Sequence, residues 1–330
     1  MLYLHGLGHF YPDNIITNPF LEELDIGTSE EWILERVGIR TRRTVLPLDY
    51  IRTTKNRDPR EALDAGLYNN TSTGTAAARM ALDRAGLKPE DIGLVISGSS
   101  APDSLSPAEA TTIAAALGIE APCFDLNSAC TSFGMQIHFL SQMKPEALPP
   151  FTLVVNPENL TRSIDYSDRN TAVLFGDGSS AAVVSATVPS RAAFMACSCE
   201  SKPSSCDKVS IPRMGYFQQD GNAVQGFAIR KTTEAIRILQ DNFSVNGNRF
   251  IFVGHQANLG MLKTVCERTG ILEQNHWHTV ADFGNTGCSG APAVLSQNWD
   301  ELNPGDHVAI AIVGAGFTWV RMMLKVEEAS

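Results

Sequence analysis

The chain has 330 residues, of which 43% are hydrophobic and 19% charged, and its 26 Lys and Arg against 36 Asp and Glu give a formal charge of −10 at neutral pH. This composition is typical of a globular protein and excludes a disordered chain, a collagen-like chain and a small disulfide scaffold. The seven cysteines are an odd number without paired CxxC spacing, so we expect neither a disulfide framework nor a structural zinc site.

The sequence predicts no membrane span and no secretory signal. Its longest uncharged run, residues 126–143, carries several polar side chains, whereas a membrane span needs about 20 mostly apolar residues. The N-terminus lacks a basic region ahead of an apolar stretch. We therefore expect a cytoplasmic protein.

The first unusual segment is basic. Residues 36–60 contain eight Arg or Lys and two Asp in a chain that is acidic as a whole. Such a segment is either a solvated loop or a basic face that attracts an anionic partner, such as a phosphate-bearing cofactor or an acidic protein. A nucleic acid is excluded as a partner, since the overall charge is negative and no aromatic-interleaved or helix-turn-helix pattern accompanies the arginines.

The next segments alternate between helix and strand patterns. Residues 73–85 have small apolar residues at helical spacing and end at Gly86. Short apolar runs typical of buried strands follow at residues 94–96, 151–155, 181–184, 250–253 and 307–313. This alternation predicts an α/β protein. Residues 189–226, rich in Ser, Cys, Pro, Gly and Gln, predict an irregular excursion or cap.

Two glycine- and serine-rich strand-to-helix corners, residues 124–134 and 282–290, lie in opposite halves of the chain. Their placement favours a duplicated architecture with one central site, although the identity between the halves is too low to establish a repeat. We place the division near residue 180, which gives units 1–180 and 181–330.

Three residues at these corners and strand ends are candidate catalytic residues. Cys130 lies where a strand ends and a helix begins, so the helix N-terminus is expected to lower its pKa. His255 follows a strand, and Asn285 lies in the second corner. Together they can hold a thioester on sulfur and donate hydrogen bonds to an oxyanion or enolate. The same order fits a papain-like Cys/His/Asn hydrolase, but the CGSCW context of that class is absent.

These residues lie in motifs that resemble the 3-oxoacyl-acyl-carrier-protein synthase III family of condensing enzymes, in the thiolase superfamily. The matching segments span nearly the whole chain: 28–43 (TSEEWILERVGIRTRR), 125–133 (DLNSACTSF), 168–169 (DR), 175–178 (FGDG), 253–258 (VGHQAN), 284–286 (GNT) and 314–319 (GAGFTW). The resemblance implies a thiolase-like α/β fold in which two similar βαβαβαββ halves form a layered α/β/α/β/α core, usually as a homodimer.

The resemblance also implies roles for individual residues. Cys130 would take the acyl group, His255 and Asn285 would stabilise the enolate formed by decarboxylation of a malonyl-type thioester, and the backbone N–H groups of Cys130 and Ala315 would form a separate oxyanion hole. Ketosynthase activity of this kind implies acyl-CoA or phosphopantetheine thioesters as substrates, an acyl carrier protein as a partner, and no permanently bound cofactor or metal.

The contacts with coenzyme A that the resemblance implies map onto four residues. Trp32 would stack on adenine, Arg36 and Arg169 would lie near the nucleotide and its phosphates, and Asn258 would help to position the pantetheine arm. Trp32 and Arg36 are four residues apart, which places them on one face of a helix.

The chain departs from the family pattern at three places. Gly260 stands where fatty-acid members commonly carry an arginine that docks the carrier protein. Leu105 stands near the acyl-pocket phenylalanine of acetyl-specific members, and the segment 46–70 is longer than the pattern requires. These departures favour a specialised synthase of secondary metabolism that accepts a longer or branched acyl group.

Two further functions remain open from the sequence. One is an acyltransferase of the same fold that passes the acyl group to an oxygen or nitrogen nucleophile. The other is a non-catalytic subunit that supports a partner synthase, which the complete Cys/His/Asn set disfavours.

Overall fold

The computed structural model describes residues 1–243 and 247–328, and within them most of the chain forms strands and helices. The strands in chain order are β1 (Leu2–Phe10), β2 (Asn14–Thr17), β3 (Thr41–Thr44), β4 (Leu94–Ser97), β5 (Cys123–Asp125), β6 (Thr152–Glu158), β7 (Gly178–Ser185), β8 (Ala192–Ser201), β9 (Val209–Ser210), β10 (Gln218–Gln219), β11 (Phe250–Gly254), β12 (His307–Gly314) and β13 (Thr318–Val326). The helices are α1 (Asn18–Glu23), α2 (Glu30–Val37), α3 (Leu48–Thr54), α4 (Pro59–Ala65), α5 (Asn70–Ala85), α6 (Glu109–Leu117), α7 (Ser132–Gln142), α8 (Arg169–Ala172), α9 (Gly221–Asn242), α10 (Leu259–Thr269), α11 (Val280–Phe283) and α12 (Gly290–Gln297).

A large mixed sheet contains strands from both halves of the chain, in the order β11-β12-β13-β8-β1-β7-β6-β4-β5. The first half runs β1-α5-β4-α6-β5-α7-β6-β7, which is the βαβαβαββ order expected from the resemblance. The second half runs β8-α9-β11-α10-α12-β12-β13, and in place of a third strand His276 makes a single parallel bridge to Phe252. The boundary expected at residue 180 falls inside β7.

The core is layered. One apolar cluster joins α5 and α6 to strands of the first half, and another joins α9 and α10 to strands of the second half. A third cluster contains α7 and α12 together with strands of both halves. Helices α7 and α12 are therefore the central layer, and their N-terminal ends follow the two corners that the sequence analysis singled out.

The central strand β1 depends on close packing of small residues. A Cβ atom on Gly6 or Gly8 would collide with the backbone carbonyl oxygens of Ala81 and Ala77 in α5. The alanine-rich helix thus lies directly on the glycines of the strand. The helix predicted over residues 73–85 is confirmed as α5, three residues longer at its start and capped by Gly86 at φ 66°.

The prediction that residues 189–226 form an irregular excursion is only partly right. Residues Ala192–Ser201 form β8, which pairs with both β1 and β13 inside the large sheet. The strand was missed because its Ala, Cys and Ser residues give little apolar alternation. The irregular part is residues 202–220, which contain the short hairpin of β9 and β10; we call residues 202–220 the cap.

The basic segment does not form one continuous basic face. Arg42 is fully buried and donates to Asn18 Oδ1 at 2.6 Å and to the Val173 carbonyl, and burial lowers its pKa to about 9. Three further members form ion pairs: Arg40 with Asp282, Arg52 with Asp49, and Arg60 with Asp58. Much of the positive charge is therefore neutralised within the chain.

Candidate active site

Cys130 lies in a tight turn between β5 and α7. The preceding residue, Ala129, has a φ of 48°, a left-handed conformation that is uncommon outside glycine. The Ser132 hydroxyl fixes this turn, because it donates to the Ala129 carbonyl at 2.7 Å and accepts from the Ser128 N–H at 2.8 Å. The thiol is thus held just ahead of the first turn of α7.

The expectation that the helix end lowers the pKa of Cys130 is wrong. Burial, together with the Glu158 carboxylate, raises the pKa of the Cys130 thiol to about 12. The partial positive charge of the helix N-terminus favours the thiolate, but lost hydration and a nearby negative charge disfavour it more strongly. Cys130 is therefore a neutral thiol at neutral pH.

His255 directly follows β11 at the end of the large sheet. Its backbone N–H donates to the Ala311 carbonyl in β12 at 2.9 Å, and its side chain is buried. Burial lowers the pKa of His255 to about 4, so the imidazole is neutral at neutral pH. Within the described residues Nδ1 has no hydrogen-bond partner. A neutral imidazole carries one donor and one acceptor nitrogen, so His255 can serve as either a donor or a base.

Asn285 is held by its own backbone and side chain. Its N–H donates to the Leu174 carbonyl at 2.9 Å, and its carbonyl accepts from the Gly176 N–H at 3.1 Å. The side-chain Oδ1 accepts from the Gly287 N–H at 3.0 Å. Because a backbone N–H can only donate, the amide atom facing it must be the oxygen, which leaves the Nδ2 donors for another partner.

One cavity of about 280 Å³ brings these groups together, and we call it the reaction cavity. Cys130, His255, Asn285 and Ala315 all line it. A Cβ atom on Gly314 would lie 3.4 Å from the Cβ of Cys130, so the backbone of residues 314–315 passes directly beside the thiol. A backbone oxyanion hole at Cys130 and Ala315, which the resemblance implies, requires such a close approach.

Three of the four residues that the resemblance assigned to coenzyme A, Trp32, Arg36 and Asn258, line the mouth of the reaction cavity, and the fourth, Arg169, packs on Trp32. Cζ of Arg169 lies 4.9 Å and Cζ of Arg36 lies 5.7 Å from the centroid of the Trp32 ring. Asn258 also lines the cavity, but its Oδ1 caps α10 by accepting from the Met261 N–H, and its Nδ2 donates to the Arg36 carbonyl. Asn258 therefore joins α10 to α2 at the mouth.

Comparisons with known proteins agree with this geometry. Two sequence profiles of 3-oxoacyl-[acyl-carrier-protein] synthase III match the chain, one over residues 124–203 and the C-terminal one over residues 250–326. The β-ketoacyl-[acyl-carrier-protein] synthase III of Campylobacter jejuni subsp. doylei is 30% identical across 98% of this chain and 97% of its own length. The chain belongs to this family. The Campylobacter curvus enzyme is 28% identical across 98% of this chain and 96% of its own.

Solved structures of synthase III proteins have the same fold. The Aquifex aeolicus enzyme superposes with a TM-score of 0.86 at 26% identity, covering 98% of this chain and 100% of that one. The priming β-ketosynthase of the R1128 polyketide pathway gives a TM-score of 0.84 at 25% identity, covering 100% of this chain and 97% of that one. The thiolase-like fold and the acyltransferase class of this synthase III, a condensing enzyme, are confirmed.

Leu105 is the one predicted site residue that a single synthase chain does not bring near Cys130. Its side chain is 71% exposed and does not line the reaction cavity. It borders a separate pocket of about 330 Å³, together with Leu63 of α4 and Met214 of the cap. Residues 100–105 of the loop that follows β4 line this pocket and not the reaction cavity, a separation that the sequence could not show.

Two residues that hold this synthase's site together were not identified from the sequence. Gln256 is fully buried, and its Oε1 accepts from the N–H groups of Thr279 at 2.9 Å and Val280 at 3.1 Å. It thereby ties the strand end that carries His255 to the segment that leads into Asn285. Its position directly after His255 was the available signal.

Glu158, the other missed residue, is a buried carboxylate close enough to Cys130 to raise the pKa of its thiol. Its Oε2 accepts from the Cys288 N–H at 3.1 Å and the Cys288 Sγ at 2.9 Å, and its Oε1 accepts from the Ser100 N–H at 2.8 Å. A Cβ atom on Gly287 would collide with the same carboxylate. Because Gly287 also orients the Asn285 amide, Glu158 supports the side of the cavity that carries Asn285.

Within residues 1–243 and 247–328, no group of three or more His, Cys, Asp or Glu side chains is arranged to hold a metal ion. No helix in these same ranges is long and apolar enough to span a membrane.

Proposed function

We propose that this synthase III relative loads an acyl group from a coenzyme A or carrier-protein thioester onto Cys130 and joins it to a malonyl-type thioester. The observation that carries the proposal is the reaction cavity, which is lined by a half-buried thiol, a neutral imidazole and an amide whose oxygen is fixed by the Gly287 N–H. Acyl transfer alone needs a nucleophile and a base, whereas a second donor beside the imidazole suits an enolate.

In the loading step, the Cys130 sulfur bonds to the thioester carbonyl carbon, and the bond from that carbon to the pantetheine sulfur breaks. The thiol proton ends on the departing pantetheine sulfur, and neutral His255 in the same cavity is the base that carries it. The backbone N–H groups of Cys130 and Ala315 stabilise the negative charge on the carbonyl oxygen.

In the condensation step, the bond between the malonyl carboxylate and its α-carbon breaks and carbon dioxide leaves. The electron pair moves onto the thioester oxygen, where His255 and Asn285 donate hydrogen bonds. The α-carbon then attacks the acyl carbonyl on Cys130, a carbon–carbon bond forms, and the cysteine sulfur leaves and takes up a proton. Preorganised donors in a site shielded from water are what make the enolate accessible at neutral pH.

The mouth supports delivery of the substrate as a nucleotide-bearing thioester. Trp32 offers a flat aromatic face, and the exposed guanidinium groups of Arg36 and Arg169 beside it suit phosphates. Asn258, which lines the cavity beyond them, lies where a pantetheine arm would pass. An acyl carrier protein is a second donor in this proposal, because its phosphopantetheine arm would follow the same path.

We also propose that the enzyme is a homodimer. Strand β5 lies at one end of the large sheet, and among the described residues it pairs with β4 alone. Phe124 on this strand and Phe139 on α7 are 37% and 41% exposed and pack edge to face. An open strand edge beside exposed aromatic side chains suits pairing with a second copy.

The test is intact-protein mass spectrometry after incubation with acyl-CoA and acyl-carrier donors, followed by malonyl thioester. We expect an acyl adduct on wild type and on Cys206→Ala, a matched control at an exposed cysteine, but not on Cys130→Ala. Asn285→Ala should still form the adduct but discharge it to a condensed product at least 100-fold more slowly, about the effect of removing one oxyanion donor.

Other outcomes would assign another function. An adduct discharged by an alcohol or amine, with no carbon dioxide released, would identify an acyltransferase to oxygen or nitrogen. If none of the donors gave an adduct, the result would contradict the proposal and indicate a non-catalytic subunit.

A further inference from the structure

A second cavity lies on the far side of Cys130 from the mouth. This inner chamber, of about 350 Å³, shares Cys130, Phe175, Val209, Phe217 and Ala315 with the reaction cavity. Its remaining apolar wall includes Leu160 and Ile211. The thiol thus stands at the junction of two spaces, one leading to the mouth and one leading away from it.

The pocket beside Leu105, which we call the outer pocket, continues this path. It has a volume of about 330 Å³ and shares Ser100 and Ile211 with the inner chamber. Its other apolar lining residues are Pro59, Leu63, Ala101, Pro102, Leu105, Pro212 and Met214. Leu63, Leu105 and Met214 are 40%, 71% and 50% exposed, so the outer pocket reaches the surface.

Elements that the sequence marked as unusual form the walls of this path. The outer pocket takes Pro59 and Leu63 from α4, which lies in the long segment 46–70. The cap supplies Ile211 and Met214. These two segments therefore extend an apolar space away from the nucleophile.

The more buried charged residues of the outer pocket already have partners within the chain. Arg162 donates to Asp103 at 2.6 Å, to Asn70 Oδ1 at 3.1 Å and to the Asn159 carbonyl at 3.3 Å. The other Asp103 oxygen accepts from the Asn70 N–H at 2.7 Å. Arg213, the third charged lining residue, is exposed to solvent, so neither of the more buried charges, Arg162 and Asp103, needs a charged ligand and the space suits a neutral, apolar occupant.

We propose that the acyl chain on Cys130 runs through the inner chamber into the outer pocket, and that the preferred acyl donor is therefore medium- to long-chain. This inference rests on the proposed function, since it names the substrate of the same nucleophile. Each methylene moved from water into such a space strengthens binding about fourfold. The occupant is the chain on Cys130 because the path is continuous with the thiol, and apolar side chains from α4 and the cap line it together with uncharged Ser and Asn residues.

The experiment measures the ratio of dodecanoyl to acetyl loading on Cys130 when equal concentrations of the two acyl-CoA donors compete. Wild type should favour dodecanoyl at least tenfold. Ile211→Trp, at the junction of chamber and pocket, should lower the ratio at least tenfold, because the indole closes the path. Leu63→Trp, at the outer end, should lower the ratio of dodecanoyl to acetyl loading more than it lowers the ratio of octanoyl to acetyl loading. Leu67→Trp, at a 60% exposed position outside these cavities, is the matched control and should keep the wild-type ratio.

The outcomes separate this inference from the proposed function. The inference would be overturned if wild type loaded acetyl at least as well as dodecanoyl and if Ile211→Trp left this ratio unchanged. The condensing function would then remain in place. No loading with any donor would overturn the proposed function itself. A Leu63→Trp variant with an unchanged ratio but a weaker dimer would assign the outer pocket to a second copy of the chain.

Discussion

At the scale of single residues, burial sets the protonation of the catalytic groups. It raises the pKa of the Cys130 thiol to about 12 and lowers the pKa of His255 to about 4. Both shifts disfavour the charged form, so a neutral thiol beside a neutral imidazole is the stable resting pair at neutral pH. Burial therefore disfavours a pre-formed thiolate–imidazolium pair and favours a proton that moves as the thioester reacts.

Glu158 adds to this effect, and its removal gives a testable change. In Glu158→Gln the negative charge near Cys130 is lost, so the pKa of the thiol should fall by about one unit, the lower end of the effect of a like charge. The pH midpoint for alkylation of Cys130 by iodoacetamide, followed by peptide mass spectrometry, measures this shift. The variant should also unfold about 2 kcal/mol more easily, because the amide nitrogen would face hydrogen-bond donors.

Cys288→Ala is the matched control for Glu158→Gln. It removes the thiol that donates to Glu158 but keeps the carboxylate charge. Its alkylation midpoint at Cys130 should stay near that of wild type. A midpoint that moves equally in both variants would show that repacking, and not the charge of Glu158, controls the pKa of Cys130.

The residues that could be identified from the sequence were those with reactive side chains beside local corner motifs. Cys130, His255 and Asn285 were found this way, and the structure brings them to one cavity. Glu158 was not found, because its partners lie 58 residues away at Ser100 and 130 residues away at Cys288. The pKa of Cys130 was misjudged for the same reason, since desolvation depends on packing from distant segments.

At the scale of elements, helix α2 positions the mouth. It starts at the N-cap Ser29, whose Oγ accepts from the Trp32 N–H at 3.2 Å, and it ends at Gly38 with φ 68°. A Cβ atom on Gly38 would lie 2.9 Å from the Cβ of Leu259, so α2 ends directly against α10. The orientation of the Trp32 ring therefore depends on both ends of a two-turn helix.

Ser29→Ala should loosen the first turn of α2. Loss of the cap costs about 1 kcal/mol of stability and allows the segment that carries Trp32 to fray. We expect a several-fold higher KM for acyl-CoA donors with kcat little changed, measured by steady-state kinetics alongside urea unfolding. Thr17→Ala removes the equivalent cap of α1, which contributes no residue to the reaction cavity, and is the matched control. An equal rise of KM in both variants would contradict the role of α2.

Elements were predictable where the local pattern was strong. Helix α5 and the buried strands β4, β6, β7, β11 and β12 follow from helical spacing or apolar runs. Strands β1 and β8 were missed, because glycine and histidine interrupt β1 and small polar residues fill β8. Both segments form strands because each pairs with a neighbouring strand on either side within the large sheet. These partners are distant in sequence, so a short stretch of sequence does not reveal them.

At the scale of the whole molecule, the two ends of the large sheet differ. At one end, the open side of β11 is covered by the segment after α10, where the Trp277 N–H donates to the Phe252 carbonyl at 3.0 Å. At the other end, β5 has β4 on one side and no paired strand on the other among the described residues. Because an unprotected edge invites pairing, the end at β5 is the surface on which a second copy would dock.

This asymmetry predicts that the chain is a homodimer at micromolar concentration and that Phe139→Asp dissociates it. Phe139 is 41% exposed and packs against Phe124 of β5. In a two-fold interface, each copy of Phe139→Asp would bury one carboxylate without a partner.

Sedimentation velocity measures the change, and thermal unfolding confirms that the variant is folded. Leu272→Asp, at a 59% exposed position after α10, should remain dimeric as the control. A monomeric wild type would contradict the predicted dimer. A Phe139→Asp variant that sediments as a dimer would place the contact elsewhere, since the substitution leaves every other exposed surface unchanged.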